Sequence, residues 1–355
     1  MDVVQVKRNP SIELYRIFLM FGICLLHCVC QGKWSGIWPC NLLGFCVPGF
    51  VFISGYFGVK FSLSKMIRIY SIPIYASLIA PLCGGAAVDG AYWCEVLRVW
   101  AADGGFWFIH AYALLMVLAP FVNALFCDNV KNRVAVILPL LVVVFGWGGL
   151  LNYNHLRVFV PAPSGLTAGS FLTFLGIYSV GRIFSVYNLG SRIPLMSAII
   201  FTLVIAMVIS LSKGYLSAVN NPACLLLAIA LFIIFQHLKV GARLSKIVLN
   251  ISPLMLAVYC ISGTIYFPFT RPIFFSVVEF SKEGLYKLGF SIGGSVTLSA
   301  LAVFIIGILF ALPQYVMSCL LESPLHKMFK KIDYGFECLA FYIGSKLAAY
   351  GDKNK

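Results

Sequence analysis

The sequence predicts an all-α protein: a polytopic transmembrane bundle of about ten spans, with both chain ends cytoplasmic. Three observations lead there. Of the 355 residues, 61% are hydrophobic and only 11% are charged, whereas ordinary soluble domains carry ~25% charged residues. The apolar residues come in long blocks, not in the short periodic pattern of a soluble core, and each block is long enough to cross a ~30 Å hydrocarbon layer at 1.5 Å per helical residue. The positive charge is also unevenly distributed along the chain, which orients the bundle.

The predicted spans are roughly 11–31, 38–59, 69–88, 105–127, 134–151, 166–187, 193–212, 217–237, 250–270 and 290–320. With the N-terminus inside, the cytoplasmic segments hold 18 of the 26 Lys and Arg residues and the external segments hold seven, Arg16 being the one within a span. That asymmetry follows the positive-inside rule. It also accounts for the net charge of +14 without a nucleic-acid partner; the partner it implies is the membrane lipid. The first apolar block carries Glu13 and Arg16 and no small-residue cleavage site follows it, so it reads as a retained span, not a signal peptide. The external connections 89–104, 152–165 and 271–289 are the longest. The stretch 321–355 reads as a basic cytoplasmic tail, with His326, Lys327, Phe329, Lys330, Lys331, Phe336, Leu339 and Phe341 spaced as an amphipathic helix lying on the membrane surface. No soluble domain and no internal repeat is visible. The twelve cysteines form no C-x-x-C pair and no Cys/His metal spacing, and most read as small apolar residues within spans. No metal site and no permanently bound cofactor is expected.

The first span holds the most informative pair. Ten residues separate Arg16 from His27, and eleven steps of ~100° come close to three whole turns, so both side chains leave one face of the helix, ~16 Å apart along its axis. Ionisable groups in a span are costly and mark functional positions. An uncharged imidazole inside the bundle suits a general base acting on a hydroxyl; its alternative use is a packing hydrogen bond between helices. Arg16 is either an anion-binding group aimed into the bundle or a snorkelling Arg paired with Glu13 at i−3. Lys65 and Arg68, at i and i+3 on the cytoplasmic entry to the third span, offer two cations to the phosphates of a nucleotide-type donor; ordinary positive-inside flanking is the plainer reading. In the second span, Pro48 to Phe57 mixes small residues with aromatics, and Ser54 and Tyr56 supply hydroxyls beside His27's helix. Trp107, at the start of the fourth span, fits an aromatic belt.

Taken together these pieces resemble the acyltransferase 3 family of multi-pass bacterial membrane acyltransferases. The Arg16-x10-His27 spacing is similar to that family's R-x10-H signature. Pro48-Gly-Phe-Val-Phe-Ile-Ser-Gly-Tyr-Phe57 resembles its second-span motif, and the run from Trp107 to Asn123 resembles its W-F…L-x-P segment. The likeness covers about residues 9–320. Two positions depart from the family pattern: Lys65 stands where an Arg of R-x-x-R is usual, and Ser262 stands where a late-span Y-L-I-H has its His. No hydrolase-like domain follows the spans, as one does in some members.

The resemblance implies a cytoplasmic-membrane O-acyltransferase. The donor would be acetyl-CoA or another acyl-CoA, reached from the cytoplasm, and the acceptor a hydroxyl on a surface polysaccharide or other envelope carbohydrate. His27 and Arg16 would be catalytic, Arg16, Lys65 and Arg68 would hold the donor, and Glu13, Ser54, Tyr56 and Trp107 would support them. A transporter or flippase for an envelope precursor is the alternative that buried Arg, Glu and His also fit.

Overall fold

The computed structural model describes residues 8–31, 42–84, 90, 93–94, 106–126, 137–151, 171–212, 216, 218–263 and 292–353. These residues are helical with short connections. The helices are α1 (Pro10–Gln31), α2 (Cys46–Phe57), α3 (Leu63–Gly84), α4 (Trp107–Leu125), α5 (Val142–Leu151, wound in the wide π form), α6 (Phe171–Val186), α7 (Leu189–Arg192), α8 (Leu195–Leu211), α9 (Pro222–His237), α10 (Ala242–Ile251), α11 (Met255–Gly263) and α12 (Ile292–Lys353). Each predicted span has a helical counterpart. Four stretches among the described residues are long and apolar enough to cross a membrane: Pro10–Val29, Trp107–Leu125, Ala242–Ser262 and Ser295–Lys346. The external connections predicted at 89–104, 152–165 and 271–289 lie almost wholly outside the described residues.

Helix α1 is the centre of the bundle and packs against α2, α9, α10, α11 and α12. Its Tyr15, Leu19, Cys24 and Cys28 are fully buried. Tyr15 donates its hydroxyl to the Ala228 carbonyl of α9 at 2.7 Å, which satisfies a phenol that would be costly to leave unpaired in an apolar interior. The rim is apolar as well: Met196, Leu203, Met207 and Leu211 of α8 are all exposed, the surface expected where lipid rather than water is the neighbour.

Close helix approach explains the small residues of the second-span motif. Helices α2 and α6 share an extensive contact, and at its centre Gly55 faces the Tyr178 carbonyl while Gly181 faces that of Phe52, so a Cβ on either glycine would run into backbone. Small residues at such crossings let dispersion hold the helices together where lipid offers no hydrophobic drive. Gly58 ends α2 at φ +73° with the Arg182 guanidinium against it, so both the left-handed backbone and the lack of space select glycine. The next residue is clamped from two helices. Val59 donates its N–H to the Tyr178 hydroxyl at 2.9 Å, that hydroxyl donates to Asn123 Oδ1 at 2.8 Å, and Asn123 Nδ2 donates to the Val59 carbonyl at 2.8 Å.

The C-terminal stretch differs from expectation. Residues 321–346 are not a separate surface helix: α12 runs unbroken through Pro313 and Pro324 for 62 residues, ~93 Å at 1.5 Å per residue. Its far end packs against the start of α3 and the last turns of α4. The Phe336 ring lies 4.1 Å from Phe61 and 5.8 Å from Phe121, centroid to centroid, and Ala340 is fully buried. The apolar stripe seen in the sequence is real, but part of it is spent on the protein's own loop.

Candidate active site

A cavity of about 660 Å³ opens between α1, α2, α3, α4 and α11. From α1 it is lined by Glu13, Arg16, Met20 and Ile23. These positions step by three and four residues, so they form one stripe of the helix, and His27 is the next residue on that stripe. The face that the Arg16–His27 spacing defines is therefore the face turned to the cavity.

One end of the cavity is strongly cationic. Arg8, Arg16, Lys60, Lys65 and Arg68 line it, against one carboxylate among the described residues, that of Glu13. Arg16 Nη1 donates to Glu13 Oε1 at 2.9 Å, Arg8 Nη2 lies 3.0 Å from Glu13 Oε2, and Arg8 Nε donates to Oε1 at 3.2 Å. Arg8 also donates to Ser252 Oγ at 2.8 Å and to the Leu249 carbonyl, tying the start of α1 to the turn before α11. Glu13 is 4% exposed. Burying it is sustainable because two guanidiniums share it, and the Arg16 guanidinium carbon lies over the Phe57 ring, 5.8 Å from the centroid. Arg16 thus pairs with Glu13 and lines the cavity at the same time. Arg68 Nη1 donates to Glu322 Oε2 of α12 at 2.8 Å and also lies over the Tyr315 ring.

The middle of the cavity carries Ser54 and Tyr112. Ser54 donates its one proton to the Phe50 carbonyl at 3.0 Å, so in the 3.2 Å contact between the two hydroxyls Tyr112 is the donor. Beyond them, Phe108, Tyr259 and Leu256 make the lining apolar.

His27 is buried and does not itself line the cavity. Tyr259, which does, has its ring centroid 6.0 Å from that of His27. His27 Nδ1 lies 3.1 Å from Ser262 Oγ, and Ser262 Oγ lies 3.0 Å from the Tyr259 carbonyl. A carbonyl can only accept, so the serine proton goes to Tyr259 and Ser262 accepts from His27. This assigns the hydrogen to Nδ1 and leaves the lone pair on Nε2, the tautomer assignment resting on the hydrogen-bond pattern.

Sequence reasoning identified Glu13, Arg16, Ser54, Lys65 and Arg68, and the fold gathers all five at this cavity. Two supporting residues sit elsewhere. Tyr56 is on the opposite side of α2 from Ser54: its hydroxyl accepts from Gln236 Nε2 at 2.9 Å and its ring packs on Phe232, so it joins α2 to α9. Trp107 packs on Phe108 and Phe174 and lines no part of the cavity. Four residues were missed. Arg8 and Lys60 read as ordinary positive-inside charge. Tyr112 carried no signal beyond its place in the Trp107–Asn123 run. Ser262 was noted only for not being His. A second cavity, about 840 Å³, lies between α5, α6, α8 and α9. It is lined by residues such as Phe145, Phe184 and Ile229 and by no charged group, so it offers no acid, base or anion site.

A family comparison bears directly on this arrangement. The sequence model of the Acyl_transf_3 family, described as an acyltransferase domain, matches residues 9–319. No curated protein and no solved structure matches the chain. The matched span begins beside Arg8 and ends within α12, so it takes in α1 with its Arg16–His27 stripe and nearly every residue of the cationic cavity; on that match the chain belongs to the acyltransferase 3 family and is an acyl-transferring membrane protein.

Proposed function

We propose that this protein transfers an acyl group, acetyl in the first instance, from acyl-CoA to a hydroxyl of an envelope carbohydrate. We place it in the bacterial cytoplasmic membrane, with about ten spans and both ends inside. The observation that carries the reading is the cavity: five cations at the end that the positive-inside rule puts in the cytoplasm, and the His27 pair ~16 Å deeper along the same helical face. The polyanionic end of coenzyme A suits the cationic mouth, where guanidiniums bind phosphate oxygens in pairs. The pantetheine arm is long and narrow and fits a passage whose polar groups are Ser54 and Tyr112. The thioester would then pass Tyr259 to reach His27. The family match supports acyl transfer over the transporter alternative.

In the reaction, His27 Nε2 takes the proton of the acceptor hydroxyl as its oxygen attacks the thioester carbonyl carbon. The C–S bond breaks, the proton passes from the imidazolium to the departing thiolate, and the products are an ester and free coenzyme A. General base catalysis of this kind contributes ~10²–10⁴-fold. Ser262, by accepting from Nδ1–H, keeps the basic nitrogen pointed away from itself, the part an orienting group plays in other base-assisted acyl transfers.

The test is transfer of label from radiolabelled acetyl-CoA to envelope glycans in membranes containing the wild-type protein or His27→Ala. Label should move with wild type and fall at least about a hundredfold with the variant. The reading fails if no acceptor takes label and the glycans of a deletion strain keep their acetyl content by mass spectrometry.

A further inference from the structure

Three carboxylates from the last part of α12 meet α3 and the residues just before it: Glu322 pairs with Arg68, and the other two meet backbone rather than a cation. Asp333 Oδ1 accepts the N–H of Leu63 at 2.8 Å, and its Oδ2 accepts from the Ser62 hydroxyl at 3.1 Å. Glu337 Oε1 accepts the N–H of Phe61 at 2.6 Å. The first intrahelical bond of α3 runs from Met66 N–H to the Ser62 carbonyl at 3.0 Å, so Ser62 is the N-cap and Leu63 the first residue of the helix. Its N–H is one of the orphan donors that every helix start exposes. An N-cap side chain reaches the amides of the second or third helical residue, not the first, and the Ser62 hydroxyl is in any case turned to Asp333 and to Ser64 Oγ. The cap comes from 270 residues away.

The helix so capped carries Lys65 in its first turn and Arg68 in the next. A lysine there opposes the helix dipole, and a carboxylate at the same end offsets it. Asp333 is 8% exposed, and Ser62 and Ser64 are buried as well, so the contact is a built junction and not a surface encounter. Phe336 locks it by packing on Phe61 and Phe121. All of these α12 residues lie beyond residues 9–319, the span that the family model matches, while their partners Phe61, Ser62 and Leu63 lie within it.

We propose that residues 321–346 of α12 are a working part of the donor site, with Asp333 and Glu337 as positioning residues: Asp333 caps the first residue of α3, Glu337 holds Phe61 just ahead of it, and together they keep Lys65 and Arg68 at the spacing that binds the donor's phosphates. This rests on the acyl-CoA reading above. Neither carboxylate touches the donor.

The experiment compares Asp333→Ala, Glu337→Ala and Asp333→Asn in the full chain, in detergent or nanodiscs. KM for acetyl-CoA, KM for the glycan acceptor and kcat are measured alongside hydrogen exchange at the Phe61 and Leu63 amides. Loss of an N-cap should raise the donor KM roughly three- to tenfold in each alanine variant and speed exchange at the two amides. The acceptor KM should stay put. Asp333→Asn keeps an acceptor oxygen for Leu63 N–H and should restore the donor KM; were the aspartate acting by charge alone, the asparagine would behave like the alanine. Unchanged donor KM in both alanine variants overturns the proposal. Equal losses in donor KM, acceptor KM and kcat, with a lowered melting temperature, overturn it too, since they mark general unfolding. If wild type binds no acetyl-CoA while exchange at Phe61 and Leu63 still responds to Asp333→Ala, the cap stands, and the donor reading falls together with the role proposed for the cap.

Discussion

Ser262 Oγ lies 3.1 Å from His27 Nδ1, and Ser262 stands where the late-span pattern that the chain resembles reads His. The departure is therefore in direct contact with the residue proposed as the general base. A serine whose own proton is taken by the Tyr259 carbonyl can only accept from the imidazole, and so it selects a tautomer. A second imidazole there would have two ring nitrogens and a choice of tautomer of its own.

Ser262→Ala removes the acceptor and lets the imidazole proton sit on either nitrogen. We expect kcat for acyl transfer to fall about tenfold, the worth of one net hydrogen bond, with the donor KM unchanged. Ser262→Thr keeps the hydroxyl and should recover most of the rate. Equal rates in all three proteins would show that the contact does not orient His27.

Arg16→Lys and Lys65→Arg are expected to move in opposite directions. Arg16 bonds Glu13 at 2.9 Å while lining the cavity, a double duty that suits the planar fork of a guanidinium. Lysine there should raise the acetyl-CoA KM by about tenfold. Arginine at 65 adds a fork at the same mouth and should leave the KM equal or lower it. Steady-state kinetics on the two variants decides the matter, and identical behaviour would argue against an anion-holding Arg16.

On the acyl-CoA reading, Glu322 competes with the donor for Arg68. Its contact is short, 2.8 Å, but the glutamate side chain is 41% exposed, and exposed pairs of this kind are worth only ~0.2–1 kcal/mol. Glu322→Gln should therefore tighten acetyl-CoA binding by less than about fivefold, and the gain should shrink as salt is raised. Isothermal titration at two ionic strengths measures it. Weaker binding in the variant would mean that Glu322 orients Arg68 instead of competing for it.

Gly55→Ala and Gly181→Ala test the α2–α6 crossing. Each new methyl meets backbone rather than a movable side chain, so each should cost ~1–3 kcal/mol of stability by overpacking. Thermal melts in detergent should drop for both, while Gly335→Ala, with open space around it, should melt like wild type.

Much of this was legible in the chain alone. Long apolar blocks and lopsided positive charge determined the class. The eleven-residue step from Arg16 to His27 determined that both leave one face of α1, because a helix of 3.6 residues per turn leaves no freedom in that respect. The stripe Glu13, Arg16, Met20, Ile23 along the cavity follows from the same periodicity. What periodicity cannot say is which face meets which partner. In a membrane the lipid-facing and core-facing sides of a helix are both apolar, so hydrophobicity does not tell them apart. That is why Tyr56, one turn from the cavity by sequence, turns to Gln236 on α9. It is also why Arg8 and Lys60 read as mere flanking charge. The decisive contacts are long-range: Ser262 meets His27 across 235 residues, and Asp333 caps Leu63 across 270. Each depends on how separately formed helices dock side by side, and only the packed tertiary structure supplies that.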